Sequence, residues 1–439
     1  MSKWERLAVA ALWLTGLILV VVGALLNDPY LAIVRGRAPK LIAVTCVLVV
    51  GWLIWRRSWR KGWVTGRLLL ALWCVVPLAM VSSKLTFNFR RADVLAADSP
   101  QAKELGRHFM IGYRRAQDIA PLVARGLIGG IYVSHRNIKG RTADELKAEI
   151  AGFQAMRRAA GLPPLVVAAD QEGGIVSHLS PQLTTLPALA TLTELRKDER
   201  RRQATEFGRT HGRELADLGV TLNFAPVLDM RSSSERHRFD FNSLIGQRAI
   251  SNDPAIVSEV ASAYAAGLRE FDVSATVKHF PGLGRVAADT HHFRARLDTP
   301  VDELEKTDWL PFRDLLKQPH THLMIGHVAL SAIDPDRAAS HSKRVVNDLL
   351  REEWGYQGVI VTDDMVMGAI YQHDICAATV EAINAGVDLL LVAFDGTQFY
   401  RIFTCALAAS EQGRLDRSML EKSNQRLNGL APRQTASAR

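Results

Sequence analysis

The segment from Val277 to His292, VKHFPGLGRVAADTHH, holds a lysine, three histidines and an aspartate within sixteen residues. It begins with apolar residues typical of a strand, and a Pro-Gly-Leu-Gly turn at 281–284 ends that pattern and supplies flexible hinges. Imidazole titrates near neutral pH, so it can give a proton and take it back. Asp289 lies in the same loop, two residues before His291. The segment therefore begins as a strand and becomes a loop that is dense with groups able to move protons.

A frame of strands must position these groups, and the sequence after residue 105 provides eight apolar runs. They are HFMIGY (108–113), IGGIYV (128–133), LVVAAD (165–170), TLNFAPV (221–227), SATVKHF (274–280), LMIGHV (323–328), GVIVTDD (358–364) and LLLVAF (389–394). Amphipathic stretches with helical periodicity, such as residues 254–271, separate the runs. Continuous apolar strands alternating with helices imply a parallel sheet covered on both faces. The pattern predicts an α/β fold, a (β/α)₈ TIM-type barrel. The alternative is a doubly wound open sheet, although no glycine-rich phosphate fingerprint follows the first strand.

Polar residues stand where several of these predicted strands end. They are Asp170, Lys278, His279, His327, Asp363 and Asp364. A single aspartate at a strand end is more often a helix cap than a catalyst. A parallel barrel, however, gathers the carboxyl ends of its strands around one pocket. Several such residues at the same end of one barrel therefore favour an active site.

The composition limits the partners and cofactors that the chain can have. Its formal net charge is +9, but many of the lysines and arginines lie between apolar runs in the first 91 residues. No zinc-finger spacing or arginine-rich tail is present, so no nucleic-acid partner is predicted. The four cysteines, Cys46, Cys74, Cys376 and Cys405, show neither metal nor disulfide spacing and are predicted to be buried apolar side chains. Without metal-ligand spacing or a nucleotide loop, no cofactor is predicted.

The first 83 residues predict a membrane anchor. Residues 7–26 form an uncharged apolar run of 20 residues, enough to cross a hydrocarbon core of about 30 Å. Shorter runs at 41–55 and 68–82 predict two further transmembrane helices, and the tryptophans around residues 52–63 suit an interfacial belt. The alternative is a buried helical hairpin. Residues 84–104 are predicted to be a polar tether.

Positive charge predicts the orientation of this anchor. The loop from Arg56 to Arg67 has five basic residues and no acid, so it is expected in the cytoplasm. Three crossings then place everything after Ser82 on the periplasmic or external side of the cell (inner) membrane. One crossing would give the same side, and two crossings would reverse it.

Five motifs, in chain order, resemble glycoside hydrolase family 3. They are DQEGG (170–174), NFAPVLD (223–229), GQR (246–248), KHFPGLGRVAADTHH (278–292) and GVIVTDDMVMGA (358–369). They resemble most the β-N-acetylhexosaminidase branch, whose members include bacterial β-N-acetylglucosaminidases of peptidoglycan recycling. The resemblance covers residues 105–430 and leaves residues 431–439 as a tail. The resemblance includes no match to the second, sandwich-type domain that many β-glucosidases of this family have.

The resemblance implies a retaining mechanism, in which a nucleophile and an acid/base act in turn. It makes Asp363 the nucleophile, His291 the acid/base and Asp289 the partner of that histidine. His292 is the rival of His291, but the family's Asp-x-His spacing favours His291. Adjacent strand residues point to opposite sides, so Asp364 is expected to be a supporting or capping group.

The resemblance also implies residues that hold the hydroxyls of the terminal sugar: Asp170, Arg248, Lys278 and His279. The chain departs from the family at Ile175 and His178, which stand where two arginines are usual. The implied function is a membrane-anchored exo-β-N-acetylglucosaminidase acting on peptidoglycan or related amino-sugar glycans. The alternatives are a membrane-tethered glycan-binding protein with weak catalysis, a family-3 β-glucosidase and a phosphorylase. The implied partners are a GlcNAc-containing carbohydrate and the lipid bilayer.

Overall fold

The computed structural model describes residues 3–57, 64–231, 243–371 and 374–430. The described residues form two compact units, divided between Ala96 and Ala97. Residues 58–63 of the basic loop that determines the predicted orientation, and the predicted tail at 431–439, lie outside the described residues.

The first unit consists of three long helices, Lys3–Ala24, Ala38–Arg57 and Val64–Ala96, with a short 3₁₀ turn at Pro29–Leu31. By length and composition, all three are apolar enough to cross a membrane. Only 11%, 17% and 22% of their most apolar windows are buried within the protein, which argues against the alternative of a buried hairpin. The helices contact one another through small and aromatic residues. Gly16 lies against Leu72 and Trp73, and the Trp73 indole donates to the Leu12 carbonyl oxygen at 3.2 Å.

The segment predicted as a tether is largely helical. The third helix continues through Lys84 to Ala96, and a helix at Pro100–Gly106 begins after Ser99, whose hydroxyl accepts from the Ala102 N–H. Residues 84–96 contain neither glycine nor proline, so nothing in the sequence interrupts the hydrogen bonding of the helix. The prediction of a polar tether had left the secondary structure of this segment open.

The second unit contains a parallel sheet with one strand in each of the eight predicted runs. The strands are β1 (Phe109–Gly112), β2 (Gly130–Val133), β3 (Val166–Ala169), β4 (Leu222–Asn223), β5 (Ser274–Phe280), β6 (Thr321–Ile325), β7 (Ile360–Thr362) and β8 (Leu390–Val392). From β1 to β7, consecutive strands pair in parallel, and β1 also pairs with β8. A bridge between Val361 and Leu389 nearly closes the sheet into a barrel. This sheet is consistent with the predicted TIM-type barrel and not with an open, doubly wound sheet.

Helices follow most of the strands, as the predicted alternation requires. Their bounds are Ala116–Arg125, His135–Ile138, Ala143–Ala159, Lys197–Leu218, Ile245–Arg248, Pro254–Arg269, Val301–Lys306, Leu310–Leu315, Gly368–Tyr371, Ile375–Ala385, Phe399–Glu411 and Arg417–Leu430, with a π-helix at Arg344–Glu353 and 3₁₀ turns at Leu189–Leu192, Ala339–His341 and Gly396–Gln398. Local sequence sets several of these ends. Thr142 and Glu145 form a capping box, and Gly219 ends the helix before β4 with a φ of 86°.

Two small strand pairs stand outside the barrel, and side chains fill its interior. Gln171–Gly173 pairs antiparallel with Val176–Ser177, and Ala295–Leu297 pairs in parallel with Val328–Leu330. The interior cluster includes Met110, Tyr132, Ala168, Leu222, Phe224, Met324, Val361 and Leu391. Because the barrel is packed inside, its chemistry is confined to the ends of the strands.

The structure corrects the prediction for the cysteines. Cys376 and Cys405 form a disulfide, with their Cα atoms 5.2 Å apart and a sequence separation of 29. The bond joins the helices Ile375–Ala385 and Phe399–Glu411, which lie on either side of β8 in the chain. Neither of these cysteines is fully buried, and Cys74 is exposed, so only Cys46 is buried as predicted. The sequence did not reveal the pair because its spacing matches no local motif.

Candidate active site

A charge-balanced cluster lies at the carboxyl ends of β3 and β5. The side chain of Lys278, only 2% exposed, forms ion pairs with Asp170 and, at 2.6 Å, with Glu172. Arg248 contacts the same Glu172 through two nitrogens, at 3.0 and 2.7 Å. Burial raises the pKa of both carboxyl groups, but the neighbouring cations outweigh it and the net pKa of each is lowered. Two cations and two anions therefore form a polar floor of fixed geometry.

His279 is oriented by a carboxylate that is completely buried. Its Nδ1 donates to Asp229 at 2.6 Å, and the same carboxylate accepts the Leu283 N–H at 2.7 Å. With Nδ1 donating, Nε2 is the ring atom left to accept a hydrogen bond. Asp229 therefore fixes both the tautomer of His279 and the start of the following loop.

The two aspartates after β7 have different surroundings. Asp364 is buried, and its carboxylate accepts three backbone N–H groups, from Val366 at 3.2 Å, Ala393 at 3.0 Å and Phe394 at 2.7 Å. Asp363, by contrast, is partly exposed toward the site. The structure thus gives Asp364 the supporting place that strand alternation predicts, where it joins the ends of β7 and β8.

The pKa shifts of these two aspartates have opposite directions. Burial raises the pKa of Asp364 to about 6, and the charge of Asp363 adds to this effect. Burial also acts to raise the pKa of Asp363, but the nearby His279, His327 and His291 outweigh it and the net pKa is lowered. Asp363 is therefore an anion near neutral pH, which is the state that a nucleophile requires.

His291 and Asp289 form a pair within the loop after β5. The Nδ1 atom of His291 lies 2.8 Å from the Asp289 carboxylate, which also accepts the backbone N–H of His291 at 2.9 Å. Burial alone lowers the pKa of His291, but the hydrogen bond that its ring donates to Asp289 and the charges of Asp363 and Asp289 raise it overall. The neighbouring His292 instead makes an edge contact with the Phe293 ring.

The loop that holds this pair is fixed at both ends. Gly282 has a φ of 111°, a conformation that favours glycine, and a Cβ at Gly284 would lie 2.1 Å from the Met230 carbonyl oxygen. At its far end, the carbonyl oxygen of His291 accepts the Gly368 N–H at 2.8 Å. The loop is therefore hydrogen-bonded to the segment that follows Asp363.

Comparisons with known proteins identify the family of this chain. Residues 100–430 match the model described as the glycosyl hydrolase family 3 N terminal domain. The chain belongs to glycoside hydrolase family 3. The glycosidase is 34% identical to a beta-hexosaminidase of Nitrosomonas eutropha over 61% of this chain and 74% of that protein. It is also 34% identical to the beta-hexosaminidase LpqI of Mycobacterium tuberculosis, over 68% of this chain and 74% of that one.

Solved structures give the same assignment. A family 3 beta-N-acetylglucosaminidase from Paenibacillus sp. superposes with a TM-score of 0.68 at 30% identity, covering 76% of this chain and 62% of that one. A family 3 glycosyl hydrolase from Mycobacterium smegmatis gives 0.67 at 30% identity, covering 77% and 98%. The protein is thus a glycosidase of the β-hexosaminidase type, and its substrate is a carbohydrate.

The positions of the two missing arginines are occupied differently in this glycosidase. Ile175 is 54% exposed, so its side chain adds an apolar surface beside the site. His178 lies 2.8 Å from the hydroxyl of Tyr132, which in turn donates to Asp170 at 2.7 Å. Burial lowers the pKa of His178, so it contributes a neutral ring and not a second cation. The charge of the arginines is therefore not replaced at these positions.

The structure brings all seven predicted site residues to one end of the barrel and adds three that sequence reasoning missed. The additional residues are Glu172, Asp229 and Tyr132. The first two lie within the quoted motifs DQEGG and NFAPVLD, so the motifs could have revealed them. Tyr132 lies in an apolar strand run and had no such signal.

His327, predicted at a strand end, is buried and contacts Ser340 at 2.8 Å and the Asp364 carbonyl oxygen at 3.1 Å. Across the described ranges, no group of three or more potential ligands is placed to hold a metal ion.

Proposed function

We propose that this glycosidase is a retaining exo-β-N-acetylglucosaminidase with Asp363 as nucleophile and His291 as acid/base. The observation that supports it most is the hydrogen-bonded His291–Asp289 pair, because the charge of Asp363 helps to raise the pKa of His291 and the charge of His291 helps to lower the pKa of Asp363. In the first step a carboxylate oxygen of Asp363 bonds to the anomeric carbon, the glycosidic C–O bond breaks, and His291 protonates the leaving oxygen. In the second step His291 takes a proton from water, which attacks the anomeric carbon and releases Asp363.

The charge-balanced cluster provides the sugar subsite in this proposal. Hydroxyl groups both donate and accept hydrogen bonds, and the cluster offers both kinds of partner. Lys278 and Arg248 donate, Asp170 accepts, and Nε2 of His279 accepts. Since these groups are already paired with one another, they keep their geometry without a ligand.

We propose that residues 1–83 form a membrane anchor, that residues 84–104 connect it to a TIM-type barrel at 105–430, and that residues 431–439 form a tail. Three crossings and the basic loop at 56–67 favour the barrel on the periplasmic or external side. The disulfide between Cys376 and Cys405 supports that side, because disulfides persist mainly in oxidising compartments. There the enzyme would reach peptidoglycan or related amino-sugar glycans directly.

Activity of the full chain in detergent tests the catalytic proposal. An aryl β-N-acetylglucosaminide and the matching aryl β-glucoside are compared under one set of conditions. We expect turnover of the former, and no turnover with Asp363→Ala. Absence of turnover with both substrates would contradict the enzymatic function, and preference for the glucoside would contradict the sugar assignment.

Two observations favour second candidates. Ile175 and His178 in place of arginines favour a glycan-binding protein with weak catalysis. Such a protein would retain glycan binding in the Asp363→Ala variant, and the unmodified chain would show no turnover of substrate. A histidine in place of a carboxylate acid/base favours phosphorolysis, because an uncharged ring does not repel phosphate. Formation of a sugar 1-phosphate on addition of inorganic phosphate would distinguish the phosphorylase from the hydrolase.

A further inference from the structure

His178 lies beside the charge-balanced cluster and is connected to Asp170 in two ways. Its backbone N–H donates to the Asp170 carbonyl oxygen at 3.0 Å. Its Nδ1 atom lies 2.8 Å from the Tyr132 hydroxyl, which donates to the Asp170 carboxylate at 2.7 Å. The charged groups that act on the pKa of the ring are the four members of the cluster, Asp170, Lys278, Glu172 and Arg248. The ring of His178 is therefore one hydroxyl away from the proposed sugar subsite.

The charge of Asp170 determines the direction of each hydrogen bond in this connection. Burial acts to raise the pKa of Asp170, but the charge of Lys278 outweighs it and the pKa falls to about 2. The carboxylate is then ionised and can only accept. Burial raises the pKa of Tyr132 well above its usual value, so the phenol keeps its hydrogen and donates it to Asp170. The oxygen of Tyr132 is left to accept, and Nδ1 of His178 is its donor.

The second ring nitrogen of His178, Nε2, is consequently a bare acceptor. Burial lowers the pKa of His178, and the opposing charge of Asp170 does not restore it, so the ring is neutral. A neutral imidazole has a hydrogen on only one nitrogen, and here Nδ1 holds it. Across the described residues no group hydrogen-bonds to Nε2, and this atom is not enclosed by the protein, so a ligand can reach it.

This acceptor reverses the polarity of the arginine that is usual at the position. A guanidinium has five N–H donors and no acceptor, so it can contact any sugar oxygen, including an ether or an anionic group. The lone pair on Nε2 of His178 can bind only a group that donates, such as a free hydroxyl. Toward an ether, a fluorine or an anion it presents a lone pair against a lone pair.

We infer that Nε2 of His178 accepts a hydrogen bond from the substrate and selects a terminal sugar whose hydroxyl beside Asp170 is free. The inference rests on the proposed function, because it places the terminal sugar on the charge-balanced cluster. Tyr132 is a positioning residue in this arrangement, since its hydroxyl fixes the tautomer of His178. The selectivity is specific to this chain, because an arginine at residue 178 could not accept.

Substrates that lack one donor test the inference with the full chain in detergent. Each free hydroxyl of an aryl β-N-acetylglucosaminide is replaced in turn by fluorine, which is small and cannot donate. The loss of kcat/KM is compared between the unmodified chain and His178→Phe, so that the electronic effect of fluorine cancels. We expect one analogue to lose about 3–10-fold more in the unmodified chain, the value of one neutral hydrogen bond.

Two further variants separate the acceptor from general disturbance of the site. Tyr132→Phe keeps the packing of the ring but leaves the tautomer of His178 unfixed, so the excess loss for that analogue should shrink. His320→Asn is the matched control, an exposed histidine at the amino end of β6, the opposite end of the barrel from the site. It should keep the full loss, and asparagine suits the φ of 56° at this residue.

Nitrogen NMR of isotope-labelled histidine gives a readout that does not depend on activity. The ring signals that disappear in His178→Phe should show Nδ1 protonated and Nε2 unprotonated. In Tyr132→Phe the two nitrogens of His178 should move toward the average of the two tautomers. A proton on Nε2 in the unmodified chain would overturn the inference.

The remaining outcomes distinguish the inference from the proposed function. Turnover of the parent substrate with equal fluorine losses in the unmodified chain and His178→Phe, for every analogue, would overturn the inference alone. Without turnover of the parent the proposed function fails, and equilibrium binding of N-acetylglucosamine and its fluorinated forms then decides about His178. Equal losses of affinity, or no binding, would refute its role, and a loss that requires His178 would support it.

Discussion

His291 and Asp289 are joined twice, because one carboxylate oxygen accepts both the ring Nδ1–H and the backbone N–H of the histidine, at 2.8 and 2.9 Å. Nδ1 therefore keeps its proton in both states of the ring. Nε2 is the nitrogen that gains a proton when the ring becomes charged. The side chain of Asp289 itself is fully buried, so it cannot exchange this partner for water. The pair is a fixed unit of the loop.

Asp289→Asn should lower the pH at which activity declines on the alkaline side. Burial lowers the pKa of His291, yet Asp289 and Asp363 raise it overall, so the ring stays protonated to a higher pH than usual. Protonated His291 is the form that acts as acid, and loss of Asp289 removes part of the stabilisation of that cation. The pH profile of kcat/KM checks this. An unchanged alkaline limb would mean that Asp289 does not control the titration of His291.

Asp363→Ala should abolish turnover of every substrate, because no covalent intermediate can form without the nucleophile. The matched control is Asp217→Asn, an exposed aspartate that is paired with Lys147 on the barrel surface. It should keep the rate of the unmodified chain. Single-turnover kinetics with an activated aryl substrate is the measurement, and residual turnover comparable to the control would exclude Asp363 as nucleophile.

His291→Ala should slow the hydrolysis of natural disaccharides about 10²–10⁴-fold, the usual contribution of a general acid. Activated aryl substrates should be slowed much less, because a good leaving group departs with little protonation. Rates measured over a series of leaving-group pKa values should show a steeper dependence in the variant. His292→Ala is the control. If His292→Ala lost activity severely while His291→Ala kept the normal rate, His292 would be the acid/base in place of His291.

Fusions at the carboxyl terminus should report the side on which the barrel lies. With three crossings, an alkaline phosphatase fusion should be active, and a green fluorescent protein fusion exported by the general secretion route should be dark. The short basic loop at 56–67 determines orientation more strongly than the long domain that follows. The reverse pattern would indicate two crossings and a cytoplasmic enzyme.

Cys376→Ser should lower the stability of the barrel by about 3–4 kcal/mol, the chain-entropy expectation for a cross-link of this span. The span is 29 residues, and the bond joins two helices that flank β8. Denaturant unfolding of the full chain in detergent, with and without reductant, measures the effect. Cys74→Ser, which removes an exposed free thiol, should change little. Equal stability of Cys376→Ser and the unmodified chain would show that the bond does not support the fold.

The sequence predicted those parts of the molecule that depend on short-range pattern. Each apolar run from HFMIGY to LLLVAF contains a strand, because continuous burial on both faces leaves an unbroken apolar signature. The Asp-x-His spacing of the resembled family likewise predicted the contact between Asp289 and His291, because two residues so close in one loop are held together by the chain itself.

Relationships between distant segments were less predictable. Glu172 lies between Lys278 and Arg248, which are 106 and 76 residues away in sequence, and only the closed sheet brings them together. The pairing of Cys376 with Cys405 depends in the same way on two helices that meet beside β8. The helical state of residues 84–96 was left open for another reason, because a polar segment without a breaker is compatible with both helix and coil.

Two backbone hydrogen bonds, from Gly368 to His291 and from Ala369 to Thr290, join the loop of the proposed proton donor to the segment that follows the proposed nucleophile, Asp363. Movement of this loop away from that segment would have to break both hydrogen bonds, at a net cost of roughly 1–3 kcal/mol. In the proposed mechanism, a substitution that displaces either segment would therefore also change the spacing between the acid/base and the nucleophile.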